Sequence, residues 1–215
     1  MLACPSPESA AGLFDEACVL ARDLERALEA RVKIDVVSGP QGSIESIAGV
    51  PRMNSRIVTA NDTLPAKTWL ETDATSSATV KVSTIGTLTV APGTRVRIGE
   101  TGLSKHEVEL AHGTISAFIT APPRLFFLKS PSALTTDMGC RYDLTTDEHG
   151  NGKLTVTLGW VIVDGAASSG NTHPWQAWTP RGYVCPMSES TGPGTPYLAG
   201  ASQTLVQSLH AMDSK

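Results

Sequence analysis

Hydrophobic and polar residues alternate along most of this chain between residues 43 and 163, and this two-residue period predicts short β-strands. Val80 and Val82 share one face of their strand, as Val108 and Leu110 do in theirs, and the positions between them are charged. One face of each strand is therefore apolar and the other polar. This is the pattern of an antiparallel sheet with one side against a core and the other in water.

The predicted strands follow each other at intervals of roughly eight to twelve residues, which is typical of a sandwich, a barrel or a rolled sheet. Glycines between them supply turns, and residues 148–152 predict a hairpin turn. The predicted strands are Ser43–Ile47, Arg56–Thr59, Lys67–Thr72, Ala78–Thr84, Thr87–Ala91, Thr94–Ile98, Glu107–Ala111, Thr114–Thr120, Leu125–Lys129, Ala133–Asp137, Cys140–Thr145, Leu154–Leu158 and Trp160–Val163.

Helical periodicity is confined to the two ends of the chain. An amphipathic helix is predicted from residue 8 or 9 to Arg31, with a leucine-rich stripe that packs on its own domain or binds a partner. A shorter one is predicted over Ala201–Met212. The predicted organisation is thus a helical N-terminal arm (residues 1–40), a β domain (41–165), and a segment of loop, aromatic cover and C-terminal helix packed on that domain (166–215).

Composition and charge argue against some classes of binding partner. A net charge of −4, a pI near 5.7 and an aromatic share of 5% argue against binding to nucleic acid or to anionic membranes. No stretch approaches the roughly 20 apolar residues that cross a bilayer, and the first residues lack the basic and apolar regions of a signal peptide. We therefore expect neither a membrane span nor a nucleic-acid partner.

The four cysteines, at positions 4, 18, 140 and 185, include no Cys-x-x-Cys pair and predict no zinc site. Cys140 and Cys185 both fall in the β region. They either form one disulfide in an oxidising compartment or remain two buried thiols, and the sequence leaves both alternatives open. No cofactor is expected.

Catalytic chemistry has little support in the sequence. His106 and His112 share strand parity but lie roughly 20 Å apart along an extended strand, too far for one metal ion. Asp137 and Asp143 are not brought together by any pattern, and no nucleophile or phosphate-loop motif follows a strand. We expect no enzymatic activity; a hydrolase would require a perturbed carboxylate pair in a cleft.

Some residues have predicted structural roles. Gly139 lies between two strands, where a positive φ is expected, and Pro123, together with Pro122, should end the strand before it. Trp160 belongs to an aromatic set that is either core or, if exposed in a row, a platform for a carbohydrate or small ligand. The other members of that set are Trp175, Trp178 and Tyr183.

Taken in order, five segments resemble the extracytoplasmic domain of FecR-type regulators. Cys140 and Tyr142 stand where that family has Thr and Phe, which is typical of a divergent branch. The segments are Ile85–Val96, Leu110–Ile119, Phe127-Leu-Lys-Ser-Pro131, Met138-Gly-Cys-Arg-Tyr-Asp-Leu144 and Leu154-Thr-Val-Thr-Leu-Gly-Trp-Val-Ile-Val163.

This resemblance implies a non-enzymatic sensor that acts by recognising proteins. FecR-type domains lie on the periplasmic side of the inner membrane, receive a signal from an outer-membrane transporter and pass it to an extracytoplasmic-function sigma factor. The chain departs from the family plan because it shows no membrane helix, and residues 1–31 contain no zinc-binding anti-sigma segment. The expected partner is a protein of such a pathway.

Overall fold

The computed structural model describes residues 42–102, 105–165 and 176–213, which form a mainly β structure with one helix. The predicted N-terminal arm and its helix lie outside the described residues. The strands are β1 (Ser43–Ala48), β2 (Arg52–Met53), β3 (Arg56–Ile57), β4 (Trp69–Glu71), β5 (Ser77–Val82), β6 (Gly86–Val90), β7 (Arg95–Thr101), β8 (His106–Ile119), β9 (Phe126–Lys129), β10 (Ala133–Asp137), β11 (Arg141–Thr146), β12 (Gly152–Leu158), β13 (Trp160–Gly165), β14 (Gln176–Pro180), β15 (Tyr183–Ser188), β16 (Gly192–Pro193) and β17 (Tyr197–Leu198).

The 17 strands form one hydrogen-bonded sheet that β8 divides into two halves. Half A has the order β1-β5-β6-β8-β11-β12-β15, with β16 and β17 both paired to β15. Half B has the order β3-β2-β4-β7-β8-β9-β10-β13-β14. All pairs are antiparallel except β8 with β9, so the predicted antiparallel sheet is confirmed with one parallel exception.

Strand β8 corrects one prediction. The sequence predicted two strands separated by a turn at His112-Gly113, whereas the structure has one strand of 14 residues. Gly113 adopts φ +101° inside that strand, and Thr94 packs where a Cβ of residue 113 would lie. The glycine therefore bends a continuous strand instead of ending it, and this bend carries β8 from half B into half A.

Both halves face a single hydrophobic core. The predicted alternation is confirmed, because Val80, Val82, Val108 and Leu110 are all buried in that core. Its largest fully buried side chain is Tyr142 of β11. The core holds the strands in register, since a slip of one residue would turn every apolar side chain into solvent.

The predicted C-terminal helix is present as α1, Gln203–Asp213, and none of its residues is buried. Polar contacts hold its end: the backbone N–H and the hydroxyl of Thr195 donate to the Asp213 carboxylate at 2.9 and 2.7 Å. Leu205 and Met212 are exposed. The helix therefore contributes little to the core. No described helix is long and apolar enough to cross a membrane.

Candidate partner-binding surface

Several turns of both halves meet at one end of the structure. The backbone N–H of Arg124 donates to the carbonyl of Asp137 at 2.8 Å, and that of Arg181 donates to the carbonyl of Gly159 at 3.0 Å. These bonds join segments that are distant in the sequence. The turns concerned are residues 120–125 after β8, 138–140 after β10, 159 after β12 and 181–182 after β14.

Two exposed tryptophans lie beside these turns. Trp160 begins β13 and Trp178 lies in β14, and their side chains are 51% and 48% exposed. The register pairs Ile162 with Trp178 and Trp160 with Pro180, so the two tryptophans are diagonal neighbours on one face, about 7–8 Å apart. Ile162, on the same face, is buried but lies outside the core cluster. This face of half B is the one directed away from the core.

Half A contributes further exposed apolar side chains at the same end of the structure. Leu158, two residues before Trp160, is 48% exposed, and Phe118 of β8 is 37% exposed. Arg141 pairs with both of them in the sheet. Its guanidinium lies 4.4 Å from the centre of the Phe118 ring, a cation–π contact.

Three arginines at this end have exposed side chains and, among the described residues, no ion pair: Arg124, Arg141 and Arg181. The turns themselves carry no exposed acidic residue, and Asp143 lies two residues beyond Arg141. Elsewhere in the described chain each arginine contacts an acid or a carbonyl. Those pairs are Arg52 with Ser55, Arg56 with Asp62, Arg95 with Glu71, and Arg97 with Glu109.

We call the set Arg124, Arg141, Arg181, Trp160, Trp178, Phe118 and Leu158 the Arg–Trp surface. It combines large apolar side chains with uncompensated positive charge on a chain whose net charge is −4. The sequence did not reveal these arginines as a group. The sequence feature that the three arginines share is their position in or beside a turn that carries no exposed acidic residue.

A buried carboxyl group, that of Asp137, lies at the same end of the structure. Asp137, the last residue of β10, is fully buried and accepts hydrogen bonds from the Gly139 N–H at 2.7 Å and from the Cys140 thiol. Burial raises the pKa of Asp137 to about 6, and the hydrogen bonds oppose that rise. Burial also raises the pKa values of the Cys140 thiol and the Tyr142 hydroxyl, which face the same carboxyl.

Two residues with predicted structural roles, Gly139 and Pro123, lie in turns at this end. Gly139 has φ +86°, in the left-handed region that favours glycine. Pro123 is exposed in the turn after β8, which ends at Ile119.

The two cysteines of the β region are both buried and free. Cys185 pairs with Leu154 of β12, whereas Arg141, next to Cys140, pairs with Leu158 of the same strand. Four residues of β12 thus separate the two positions, roughly 13 Å. A disulfide needs Cα atoms within about 7 Å. Of the two alternatives, the structure has the buried thiols.

The histidines do not form a site. His106 is buried, with the Thr101 hydroxyl 2.5 Å from its Nδ1, and burial lowers its pKa. His112 is half-buried and pairs with Arg95 at the other end of the same β8–β7 ladder. Among the described residues no group of three or more His, Cys, Asp or Glu side chains could hold a metal ion.

Only part of the predicted aromatic platform is assembled. Trp160 and Trp178 share an exposed face, whereas Tyr183 is half-buried in β15 of half A. Trp175 lies outside the described residues.

A separate groove of about 390 Å³ lies between the β11–β12 hairpin, β15–β16 and α1. Its lining includes Asn151, Ser188, His210 and Asp213. The Asp213 carboxylate is already engaged by Thr195. The groove therefore offers a weaker case for a binding site than the Arg–Trp surface.

No family model matches the chain, and no curated protein matches it. Among solved structures, the fold is similar to two crystal structures, each of a candidate anti-sigma factor from Parabacteroides distasonis ATCC 8503. The first, at 2.50 Å resolution, matches with a TM-score of 0.51 and 13% identity over 60% of this chain and 59% of its own. The second, at 1.65 Å, matches with a TM-score of 0.52 and 13% identity over 65% of this chain and 63% of its own.

At this identity the likeness shows a shared fold. The class that the fold defines is an all-β domain of the kind found in those candidate anti-sigma factors. The match spans less than two thirds of either neighbour's length.

Proposed function

We propose that this chain is a non-enzymatic regulatory domain in a sigma-factor pathway and that it acts by recognising a protein partner. Two independent likenesses support the pathway: the FecR-like order of sequence segments, and the fold shared with candidate anti-sigma factors. The FecR resemblance extends the proposal to a sensor on the periplasmic side of the membrane, with a transporter signalling domain or a sigma-factor regulator as its partner.

The Arg–Trp surface is the observation that carries partner recognition. Tryptophan and arginine are the side chains most enriched at energetically dominant positions of protein interfaces. Trp160 and Trp178 each keep about half of their surface exposed. Covering that area would contribute about 2–3 kcal/mol per side chain at the usual coefficient for apolar burial. Two such side chains on one face can anchor a complex.

A non-enzymatic function is consistent with the environment of Asp137, the one carboxyl group in the described part of the chain whose pKa is clearly raised. Asp137 is buried, and its hydrogen-bond partners are a thiol and a backbone amide, not a second carboxylate in a cleft. General acid–base catalysis requires a group within reach of a substrate. Asp137 is not accessible to one.

The proposal is tested by gene deletion and complementation in the native host. Deletion should alter transcription of a group of genes that share one promoter sequence, and the wild-type gene should restore it. The double variant Trp160→Ala/Trp178→Ala should fail to restore transcription although the protein is present at the wild-type level. The matched control, Ile57→Ala/Leu205→Ala, removes side chains of equal fractional exposure, 50% and 51%, and should restore it. Full restoration by the tryptophan variant would refute the assigned surface, and unchanged transcription after deletion would refute the pathway.

The exposed tryptophan pair also favours a second function, binding of a carbohydrate or small ligand, because flat exposed aromatics on one face stack on sugar rings. A glycan array probed with the labelled chain separates the two functions. Glycan binding that is lost in Trp178→Ala would favour this second function. An array without any binding would favour recognition of a protein partner.

A further inference from the structure

We propose that the partner segment recognised by the Arg–Trp surface is acidic as well as apolar: a polypeptide stretch in which carboxylates alternate with aromatic or aliphatic side chains. This inference rests on the proposed function and adds the chemistry of the partner.

The first argument is the contrast in charge pairing. Away from this end, three of the four described arginines form an ion pair and the fourth, Arg52, donates to the Ser55 carbonyl, whereas the three arginines at this end make no ion pair with a described residue. A guanidinium offers five donors in a fixed fork that matches a carboxylate. Three such groups, with no exposed acid in the same turns, form a local positive region on an acidic chain. An acidic partner would meet complementary charge here and repulsion over much of the remaining surface.

The second argument is the order of side chains along the surface. Arg141 is stacked on Phe118 and lies between Phe118 and Leu158 in the sheet. Arg181 follows β14 directly, and its N–H is fixed to the carbonyl of Gly159, beside Trp160. Positive and apolar residues therefore lie close together at this end of both halves. A complementary segment would carry acidic and apolar side chains close together as well.

Two other occupants fit less well. A nucleic acid could stack bases on the tryptophans, but three arginines are few beside the six to ten phosphate contacts of typical DNA-binding proteins. A second copy of this chain in a two-fold dimer would bring the three arginines of both copies, six positive charges, into one interface with no acidic residue of these turns to balance them. Like charges in an interface are repulsive, so self-association through this surface is disfavoured.

The indole N–H resonances of the ¹⁵N-labelled full chain provide the test. The probes are the hexapeptide Glu-Phe-Glu-Leu-Glu-Phe, its basic counterpart Lys-Phe-Lys-Leu-Lys-Phe, and a twelve-nucleotide oligothymidine. The acidic peptide at millimolar concentration should shift the Trp160 and Trp178 resonances, and the basic peptide should not. Trp69, whose ring lies 4.5 and 4.4 Å from the guanidinium groups of Arg95 and Arg97, is the internal control and should not shift.

Charge dependence is measured by variants and by salt. Arg141→Gln/Arg181→Gln should weaken binding of the acidic peptide about tenfold, the effect of two exposed charge pairs of about 0.7 kcal/mol each. Arg52→Gln, which removes an exposed arginine outside the surface, is the control and should bind as the wild type does. Binding should also weaken as salt rises, because the Debye length falls from about 10 Å at 0.1 M to about 3 Å at 1 M.

Three outcomes would refute the proposal of an acidic partner. They are equal shifts with both peptides, no shift with either peptide, and stronger binding of the oligonucleotide than of the acidic peptide. These failures differ from failure of the proposed function. If Arg141→Gln/Arg181→Gln restores transcription in the deletion strain while Trp160→Ala/Trp178→Ala does not, the surface binds a partner that is not acidic. If both variants restore transcription, the Arg–Trp surface is not the partner-binding surface.

Discussion

Replacing Asp137 by Asn should remove a pH-dependent loss of stability between pH 4 and pH 7. The Asp137 carboxyl is buried at the end of β10, and its pKa is raised from the ordinary 3.8 to about 6. The folded protein therefore holds this proton more tightly than the unfolded chain does. The stability that the protonated group provides is complete below about pH 4 and is lost as the pH rises through about 6. Asn carries no titrating proton and cannot lose stability in this way.

The size of the effect follows from the two pKa values. The interval from 3.8 to about 6 corresponds to about 3 kcal/mol, since one pH unit is equivalent to about 1.36 kcal/mol. Asp62, Asp73 and Asp147 act in the opposite direction, because hydrogen bonds to each of them accompany a lowered pKa. The informative quantity is therefore the difference between the variant and the wild type. Asp137→Asn should gain up to about 3 kcal/mol relative to the wild type between pH 4 and pH 7.5.

Urea unfolding followed by tryptophan fluorescence at several pH values measures this difference, provided that the m-value is the same for both proteins. Asp143→Asn is the matched control, because Asp143 is a half-buried carboxyl on the neighbouring strand β11. It makes the same Asp-to-Asn change and leaves the buried Asp137 carboxyl in place. Parallel profiles for the wild type and Asp137→Asn would show that the Asp137 carboxyl titrates normally and would refute the reasoning.

Three further predictions concern single positions. Gly139→Val should lose about 2–3 kcal/mol of unfolding free energy, because a β-branched residue is strained at φ +86°. Gly139→Asn should lose roughly 1 kcal/mol or less, and equal thermal unfolding of the two variants would contradict this reasoning. Gly113→Ala should cost about 3 kcal/mol or more, since its Cβ would overlap the backbone and side chain of Thr94. Gly93→Ala, with φ +66° and open space, should cost about 1 kcal/mol, and similar losses for the two variants in denaturant would contradict the overlap. Cys140 and Cys185 should resist iodoacetamide at pH 8 in the native state and react after unfolding, because burial raises both thiol pKa values, that of Cys185 to about 12; mass spectrometry that finds native labelling would contradict their burial.

The sequence predicted the fold class because the two-residue period is imposed by the core itself. Ala133–Asp137 was predicted at its observed bounds, since its alternate residues must be buried against the core for the strand to form. The two-residue strands β2, β16 and β17 were missed because so short a segment shows no period. The continuity of β8 was also missed. A glycine that ends a strand and one that bends it look alike until the packing of Thr94 is known.

The candidate surface was less predictable than the fold. Trp160 and Trp178 were identified from the sequence, but whether they were core or exposed depended on which face of β13 and β14 met the core. The arginines depended on tertiary structure even more. Arg97 and Arg141 each lie in a strand between two uncharged residues. Glu109 pairs with Arg97 on the neighbouring strand, whereas Phe118 and Leu158 pair with Arg141. Which residues face each other across two strands depends on the register of those strands. The register follows from the packing of the whole sheet and cannot be read from one strand alone.

The route of the chain between the two halves has a consequence for folding. Strands of half A and half B are interleaved along the sequence: β1 belongs to A, β2–β4 to B, β5 and β6 to A and β7 to B, and β8 belongs to both. No contiguous fragment therefore contains all strands of one half without strands of the other. The described β region should unfold as one cooperative unit, and a single proteolytic cut within β8 should release no folded piece. Neither half can be exchanged as one contiguous segment, so a redesign of this scaffold is confined to its side chains and turns.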